Sequence, residues 1–448
     1  MLINLTLAEI ATACHGELIG ADRSITCVVT DTRHIVKGCL FVAIKGERFD
    51  GHDYAAEAIE QGAAGLLSEQ DLGLPSCIKV DNTTVAYGRI ARLIRNAFKR
   101  PVVCITGSNG KTTVKDWLAQ SLSESNVLKT QANLNNQIGV PQTLLALNKF
   151  HDMAIVETGT SFLGEIAQLA KIAFPDVVIL TNASGSHFEG LGDLESIAKE
   201  KGELISGSAP RAQVILNADD PFFAYWCSLA GERRVYSFGF CSSADLYATQ
   251  IALFADFSSA LFCYGSHKQT VLIAGAGKHH IANGMAVVLA MLALGFDFAY
   301  SVAQLARPVM VSGRLERLEA KNGALLINDC YNASPSSVEA AIDVLAMQSA
   351  EKTWLILGAL GELGAQQYDI HYGLGLYAKN AGLSHLVCVG PIAAVAGKAF
   401  RDRGGDVVFC DTHLEAAAVV AHLDKKHAIL VKGSRSAKME YVIKALIN

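Results

Sequence analysis

Apolar positions recur with two different periods along the chain, and the switches between them divide it into three blocks. Over residues 1–83, short apolar runs at 25–30, 39–44, 64–68 and 77–80 predict strands, with one helix-period segment at 54–61. A helical stripe over 85–98 leads to Pro101 and reads as a connecting helix. From Val102 onward the texture becomes strand, loop, helix. Continuous apolar runs at 102–106, 153–157, 177–181 and 214–217 suit a parallel sheet covered on both faces. Between 233 and 273 the pattern alternates, which predicts an antiparallel extension at the sheet edge. After Gly313, strand and helix alternate again, with strands at 324–327, 354–357, 386–389, 407–410 and 428–431. That regularity predicts a doubly wound, Rossmann-like unit. The expected fold class is α/β in three domains: a small α/β N-terminal domain (1–83), a central parallel-sheet domain (84–312) and a C-terminal Rossmann-like domain (313–448).

Composition narrows the function classes. At ~150 residues per domain, 448 residues suit three domains, each able to bury its own core. Lys and Arg number 38 against 43 Asp and Glu, a formal charge of −5, so a polyanion such as nucleic acid or an anionic membrane is not the expected partner. The 51% hydrophobic content with only 9 prolines excludes a largely disordered chain. No basic residue precedes Arg23, so the start lacks the charged region of a signal peptide. The longest apolar stretch, 285–296, is too short for a membrane span. The 11 cysteines include no C-x-x-C pair, which predicts reduced, mostly buried thiols. The expectation is a soluble, cytoplasmic protein.

The sharpest chemical signal is Gly107-Ser108-Asn109-Gly110-Lys111-Thr112-Thr113, placed directly after a strand and opening a helix. The two glycines let backbone N–H groups approach phosphate oxygens, and the helix N-terminus favours negative charge. Lys111 would neutralise the β- and γ-phosphates, and the Thr112 hydroxyl would ligate Mg²⁺. The loop is the shorter G-x-x-G-K-T form, because position 105 is Ile. Glu157 ends the next strand candidate, where a carboxylate could reach the metal; alone it is an ordinary strand-end charge. His187 follows another strand, Lys199 and Lys201 lie on a helical stretch at 196–205, and Asn217-Ala-Asp-Asp220 closes a further strand. Taken singly these are weak signals, and a solvated helix face or a polar turn explains each.

Their order along the whole chain resembles the Mur ligase superfamily. The resemblance runs through the phosphate loop, Asn133-Leu-Asn135-Asn136-Gln-Ile-Gly-Val-Pro141, Glu157, His187, Ala198-Lys-Glu-Lys201 and Asn217-Ala-Asp-Asp220. It continues through Gly277-Lys-His279-His280-Ile-Ala-Asn283, Ser312-Gly-Arg314, Asp329-Cys-Tyr-Asn332-Ala-Ser-Pro335 and Lys432-Gly-Ser434-Arg435. Asp31-Thr32-Arg33 and Lys45-Gly46-Glu-Arg-Phe-Asp50-Gly-His52 look like the family's UDP-substrate loops; by themselves they are polar turns. In the third block, the D-N-P-R motif of the branch adding the third stem residue is absent. Gly358-Ala-Leu-Gly-Glu-Leu-Gly364, followed by His371, is similar to the dipeptide-adding branch. Two positions depart from the family pattern: His280 stands where an Asn normally helps hold the adenine, and Ala359 stands where Asp is usual.

The resemblance implies an ATP-dependent amide ligase that joins D-alanyl-D-alanine to UDP-N-acetylmuramoyl-tripeptide through an acyl phosphate. The first domain would take the UDP-sugar, the P-loop-like central domain ATP, and the third the incoming amine. Lys111, Lys201, His187 and Arg314 are the implied catalytic residues. Gly107, Ser108, Asn109, Gly110, Lys111, Thr112, Thr113, His279, His280, Asn283, Arg314, Asp329 and Asn332 would bind ATP. Thr112, Glu157, His187 and a carbamylated Lys201 would hold two Mg²⁺ ions. Asp31, Thr32, Arg33, Lys45, Gly46, Asp50, His52, Asn135, Asn136, Lys432, Ser434 and Arg435 would contact the peptide substrates. The partners are thus small molecules, and the expected state is a monomer. A ligase adding a single amino acid, or a nucleotide-dependent switch, are the alternatives.

Overall fold

A computed structural model describes residues 2–185, 188–307 and 311–447. The first block folds as a five-stranded sheet in the order Glu17–Ile19, Cys77–Lys79, Gly65–Ser68, Leu40–Val42 and Val28–Val29, parallel except for its first pair. The helix expected at 54–61 is present as Ala55–Glu60. A further helix, Leu7–Cys14, is held at its start by a capping box. The Thr6 hydroxyl accepts from Glu9 N at 3.3 Å, and the Glu9 carboxylate accepts from Thr6 N at 2.9 Å. The connecting helix spans Thr83–Ala97 and starts where the Asn82 side chain accepts from Val85 N. Its buried Arg95 donates to the carbonyls of Ala173 and Phe174 and pairs with Asp176 at 2.7 Å, fastening the helix to the second block.

Nine strands form the central sheet, in the order His267–Ala274, Phe257–Tyr264, Leu246–Leu253, Val235–Gly239, Gln213–Asn217, Val177–Leu180, Val102–Thr106, Met153–Glu157 and Val127–Lys129. The four expected core strands are there, parallel and buried on both faces. The alternating stretch does form the sheet edge, and its last two strands are antiparallel. Its first strand, Val235–Gly239, instead pairs parallel with Gln213–Asn217. The apolar run 285–296, which reads as a buried helix, is helical as far as the end of Lys278–Ala293; Met285 to Met291 are fully buried, and the rest of the run turns out of the helix and is only partly buried.

The third sheet runs Glu316–Glu319, Leu325–Asp329, His427–Lys432, Lys352–Leu357, His385–Val389 and Asp406–Cys410. Its five parallel strands are those expected from the sequence. The sixth, Glu316–Glu319, is an antiparallel edge strand whose polar pattern hid it. All eleven cysteines are free thiols, most of them buried. Among the described residues, no helix is long and apolar enough to cross a membrane.

Candidate functional site

The phosphate loop follows the carboxyl end of the strand Val102–Thr106 and lies against the segment that follows the third sheet's strand Leu325–Asp329. Gly107 has φ +146°, and a Cβ there would sit 1.9 Å from the Thr181 hydroxyl. Gly110 has φ +85°, and its Cβ would meet Asn283 Oδ1 at 2.6 Å. Both positions therefore require glycine. Ser108 N donates to the Asn182 carbonyl at 2.9 Å, Asn109 N to Asn182 Oδ1 at 3.1 Å, and Thr181 Oγ1 to the Asn109 carbonyl at 2.6 Å. The loop is thus bolted to the end of the neighbouring strand. The helix Lys111–Ser121 starts at Gly110 with no side-chain cap, which leaves its first-turn amides suited to an anion. Lys111 curls over the loop and donates to the carbonyls of Gly107 (2.6 Å) and Ser108 (3.2 Å). Burial lowers its pKa; Glu157 opposes this and Arg314 reinforces it. Thr112 is buried one residue further on, and Thr113 is half-buried.

Glu157 is almost fully buried. Its Oε1 accepts from Asn135 Nδ2 at 2.9 Å, while Oε2 is buried with no hydrogen bond and lies 3.9 Å from Lys115 Nζ. Lys115 also donates to the Thr130 carbonyl, and Thr130 Oγ1 accepts from Glu157 N. Asn136 serves the backbone instead, accepting from Ile138 N and Gly139 N.

On the helix Leu194–Ser206, Lys201 is 2% exposed, whereas Lys199 is in solvent and pairs with Glu195 at 2.8 Å. Two residues apart on a helix, the side chains point in different directions. Burial brings the Lys201 pKa down to about 7; the neighbouring charge of Lys111 adds to this and Glu200 opposes it. Among the described residues, Lys201 has no ion pair with a carboxylate. His187 lies outside the described residues.

The third block closes the site. Arg314 Nη2 donates to the Thr112 hydroxyl at 3.2 Å, and its guanidinium stacks on Tyr331. Ser334 Oγ donates to Asn109 Oδ1 at 2.8 Å, and Asn109 Nδ2 donates to Ser336 Oγ at 3.0 Å. Asp329 pairs with Lys432, both buried, and Lys432 Nζ also donates to the Asn332 carbonyl. His279 and His280 pack side by side, with burial lowering their pKa values to about 4 and about 3, so both rings are neutral. Lys432 is a second cause for His279, and Asp329 acts on His280, which puts the pair beside that ion pair. Ser434 Oγ donates to the Ala359 carbonyl, and exposed Arg435 pairs with Glu440.

The candidates of the first block lie apart, on their own sheet's loops. Asp31 pairs with exposed Arg33 and caps the single turn Thr32–His34. The backbones of Lys45 and Asp50 pair in an isolated antiparallel β-bridge, and Gly46 N donates to the Phe49 carbonyl. His52 is held from both sides, through Asp50 at Nδ1 and Glu69 N at Nε2. Among the described residues no hydrogen bond joins them to the phosphate loop. The sequence reading did not single out Lys115, Thr181, Asn182, Ser334 or Ser336. The Thr-Asn-Ala-Ser run after a core strand was the one signal for Thr181 and Asn182.

Three family models match in chain order: "Mur ligase family, catalytic domain" over residues 24–99, "Mur ligase middle domain" over 105–291, and "Mur ligase, glutamate ligase domain" over 313–435. The chain belongs to the Mur ligase family. One Mur ligase relative, UDP-N-acetylmuramoyl-tripeptide--D-alanyl-D-alanine ligase of Escherichia coli (strain K12), is 37% identical and the match covers 99% of each chain. Among solved Mur ligases, a crystal structure of MurF from Acinetobacter baumannii superposes with TM-score 0.92 at 31% identity, covering 99% of each chain. MurF from Thermotoga maritima in complex with ADP gives 0.84 at 28% identity, covering 94% of this chain and 96% of that one.

Proposed function

We propose that this Mur ligase uses ATP to join D-alanyl-D-alanine to UDP-N-acetylmuramoyl-tripeptide, giving the pentapeptide precursor of peptidoglycan with ADP and phosphate. The observation that carries the reading is the meeting of phosphate loop and third-sheet edge, through Arg314 on Thr112 and Ser334 on Asn109, in a chain alike over its full length to ligases of that name. A nucleotide switch needs no such second edge; a ligase must bring an amine to an activated acyl group.

A carboxylate does not condense with an amine at neutral pH, because its oxygen leaves poorly. The substrate carboxylate oxygen attacks the γ-phosphorus and ADP leaves. The amine then attacks the acyl carbon, loses a proton and expels phosphate. Two anions meet in the first step, so charge neutralisation and in-line positioning dominate. Lys111 supplies one cation at the phosphate loop. Arg314 supplies another from the third block, so its contribution depends on closure, which also keeps water from the acyl phosphate. Asp329, His279, His280 and Asn283 are the candidate nucleoside contacts. Asp31, Thr32, Arg33, Lys45, Gly46, Asp50 and His52 are those for the UDP-sugar. The working domain division remains 1–83, 84–312 and 313–448.

The residues present fit Mg²⁺. Glu157 Oε2 is a buried carboxylate oxygen without a hydrogen bond, and Thr112 offers a hydroxyl; hard oxygen donors suit this ion. Thr112 and Glu157 would hold one ion, and His187 with a carbamylated Lys201 a second. When bound, such ions screen the charge on phosphoryl and acyl oxygens. The same reading implies a cytoplasmic monomer acting on small molecules.

Phosphate release with ATP, Mg²⁺ and each UDP-muramoyl peptide tests the reading. Release is expected with the tripeptide and D-alanyl-D-alanine together. Release with a single amino acid in place of the dipeptide would reassign the chain to another Mur-type activity, and release without any acceptor would favour a switch.

His280→Asn is expected to change the KM for ATP and leave kcat nearly unaltered. The ring sits at the nucleoside end, so its contacts are alike in ground and transition states. A fall in kcat at saturating ATP with KM constant would show that His280 acts elsewhere.

A further inference from the structure

Arg314 sits on a turn that is fastened at several points. Its two neighbours take left-handed backbone, Gly313 with φ +73° and Leu315 with φ +48°. At Gly313 a Cβ would lie 3.2 Å from Tyr331 N, so glycine suits the close approach there. A leucine keeps such a conformation only where its surroundings over-determine it. Here they do. Arg314 N donates to the Val311 carbonyl, Tyr331 N to the Gly313 carbonyl and Leu315 N to Asp329 Oδ1, each at 3.1 Å.

Glu316 closes the turn from the start of the strand Glu316–Glu319. Its Oε2 accepts from Gly313 N at 2.9 Å, from Ser312 Oγ at 3.1 Å and from Asn328 Nδ2 at 2.8 Å. Asn328 lies directly opposite Glu316 on the strand Leu325–Asp329. One carboxylate oxygen thus ties the residues just before Arg314 to an inner strand of the third sheet, which an apolar side chain could not do. The guanidinium rests separately, 4.5 Å from the centre of the Tyr331 ring, while Nη2 donates to the Thr112 hydroxyl of the phosphate loop at 3.2 Å. Among the described residues its Nε is buried with no hydrogen-bond partner. A buried donor left over beside the phosphate loop suits an acceptor oxygen that arrives with the substrates.

We propose that Glu316 and Tyr331 are positioning residues for Arg314. Glu316 sets the turn that carries it and Tyr331 the place of its guanidinium, so the cation stands at the phosphate loop before the phosphoryl group moves and needs no rearrangement during transfer. This rests on the reading above that Arg314 neutralises charge on that group. Glu316 and Tyr331 act through Arg314 rather than on a reacting atom.

The test is a double-mutant cycle read as phosphate release, with KM and kcat for ATP and for whichever amine the wild type accepts, and a melting curve for every variant. Glu316→Gln keeps an acceptor oxygen of the same reach and Tyr331→Phe keeps the ring, so both are expected within about threefold of wild type. Glu316→Ala and Tyr331→Leu are each expected to lower kcat about tenfold with the ATP KM within about twofold, because the interaction they disturb is made in full only in the transition state. In an Arg314→Ala background the same two substitutions are expected to cost less than about twofold, since nothing is left to position. Undiminished losses there would show independent action and overturn the proposal. Normal kcat in Glu316→Ala and Tyr331→Leu, or equal losses in the Gln and Ala forms, would overturn it as well. If Glu316→Ala does not fold, the Tyr331 pair in both backgrounds decides. Near-full activity of Arg314→Ala would overturn the reading of Arg314 and the proposal with it. An amine other than D-alanyl-D-alanine would overturn the substrate reading alone, and the cycle would still decide the roles of Glu316 and Tyr331.

Discussion

Lys201→Ala is expected to lose nearly all ligase activity while Lys199→Ala keeps most of it. The two lysines differ by two positions and by everything physical: one is enclosed with no carboxylate ion pair among the described residues, the other is in solvent beside Glu195. An ordinary lysine with a pKa of 10.5 is an ammonium at neutral pH, and one brought down to about 7 is about half neutral there. The neutral amine can add CO₂ and become an anionic oxygen ligand, so short-chain carboxylic acids are expected to restore part of the activity of Lys201→Ala. The loss from removing such a transition-state stabiliser is on the order of 10²–10³-fold or more. Stability provides the control. Between about pH 7 and 10.5 the unfolded chain holds a proton on Lys201 that the folded chain lacks, so this residue's penalty is largest below pH 7 and shrinks as pH rises. Lys201→Met keeps most of the volume without the charge and is expected to melt no lower than wild type at pH 6. A fully active Lys201→Ala would sink the assignment.

Lys111→Ala is expected to abolish turnover by ~10²–10³-fold or more while the fold persists. Among the described residues the ammonium bonds only to the carbonyls of its own loop, and the loop is held separately by Thr181 and Asn182. Removing it therefore takes away a cation aimed at the transferring phosphoryl group and little of the scaffold. Phosphate release alongside the melting curve checks both halves. A well-folded, near-fully active variant would refute the role.

The core strands were legible because runs such as Val102–Thr106 and Met153–Glu157 are continuously apolar and bounded by turn residues. Edge strands were not: Val127–Lys129 is short, and Glu316–Glu319 has three charged residues and a single leucine. The helix Leu7–Cys14 could have been found from Thr6 and Glu9, three residues apart. Within the site, the motif residues were legible one by one, but their meetings were not. No local pattern says that Asn283 abuts Gly110 or that Ser334 reaches Asn109. Lys115 reads as a solvated helix position, and only the fold encloses it with Asp116 and Glu157.

The third sheet places His427–Lys432 between Leu325–Asp329 and Lys352–Leu357, two strands that precede it by many residues and do not pair with each other. During synthesis the central sheet is complete well before that strand emerges. The third sheet, by contrast, waits with a gap at its middle for a long-range pairing, the slow kind of step in folding. Filling the gap brings Lys432 to Asp329 and Ser434 to Ala359 in the same event. A growing chain can thus form its phosphate loop early but joins it to a finished third sheet only when this strand inserts, so ligation is coupled to finishing the fold.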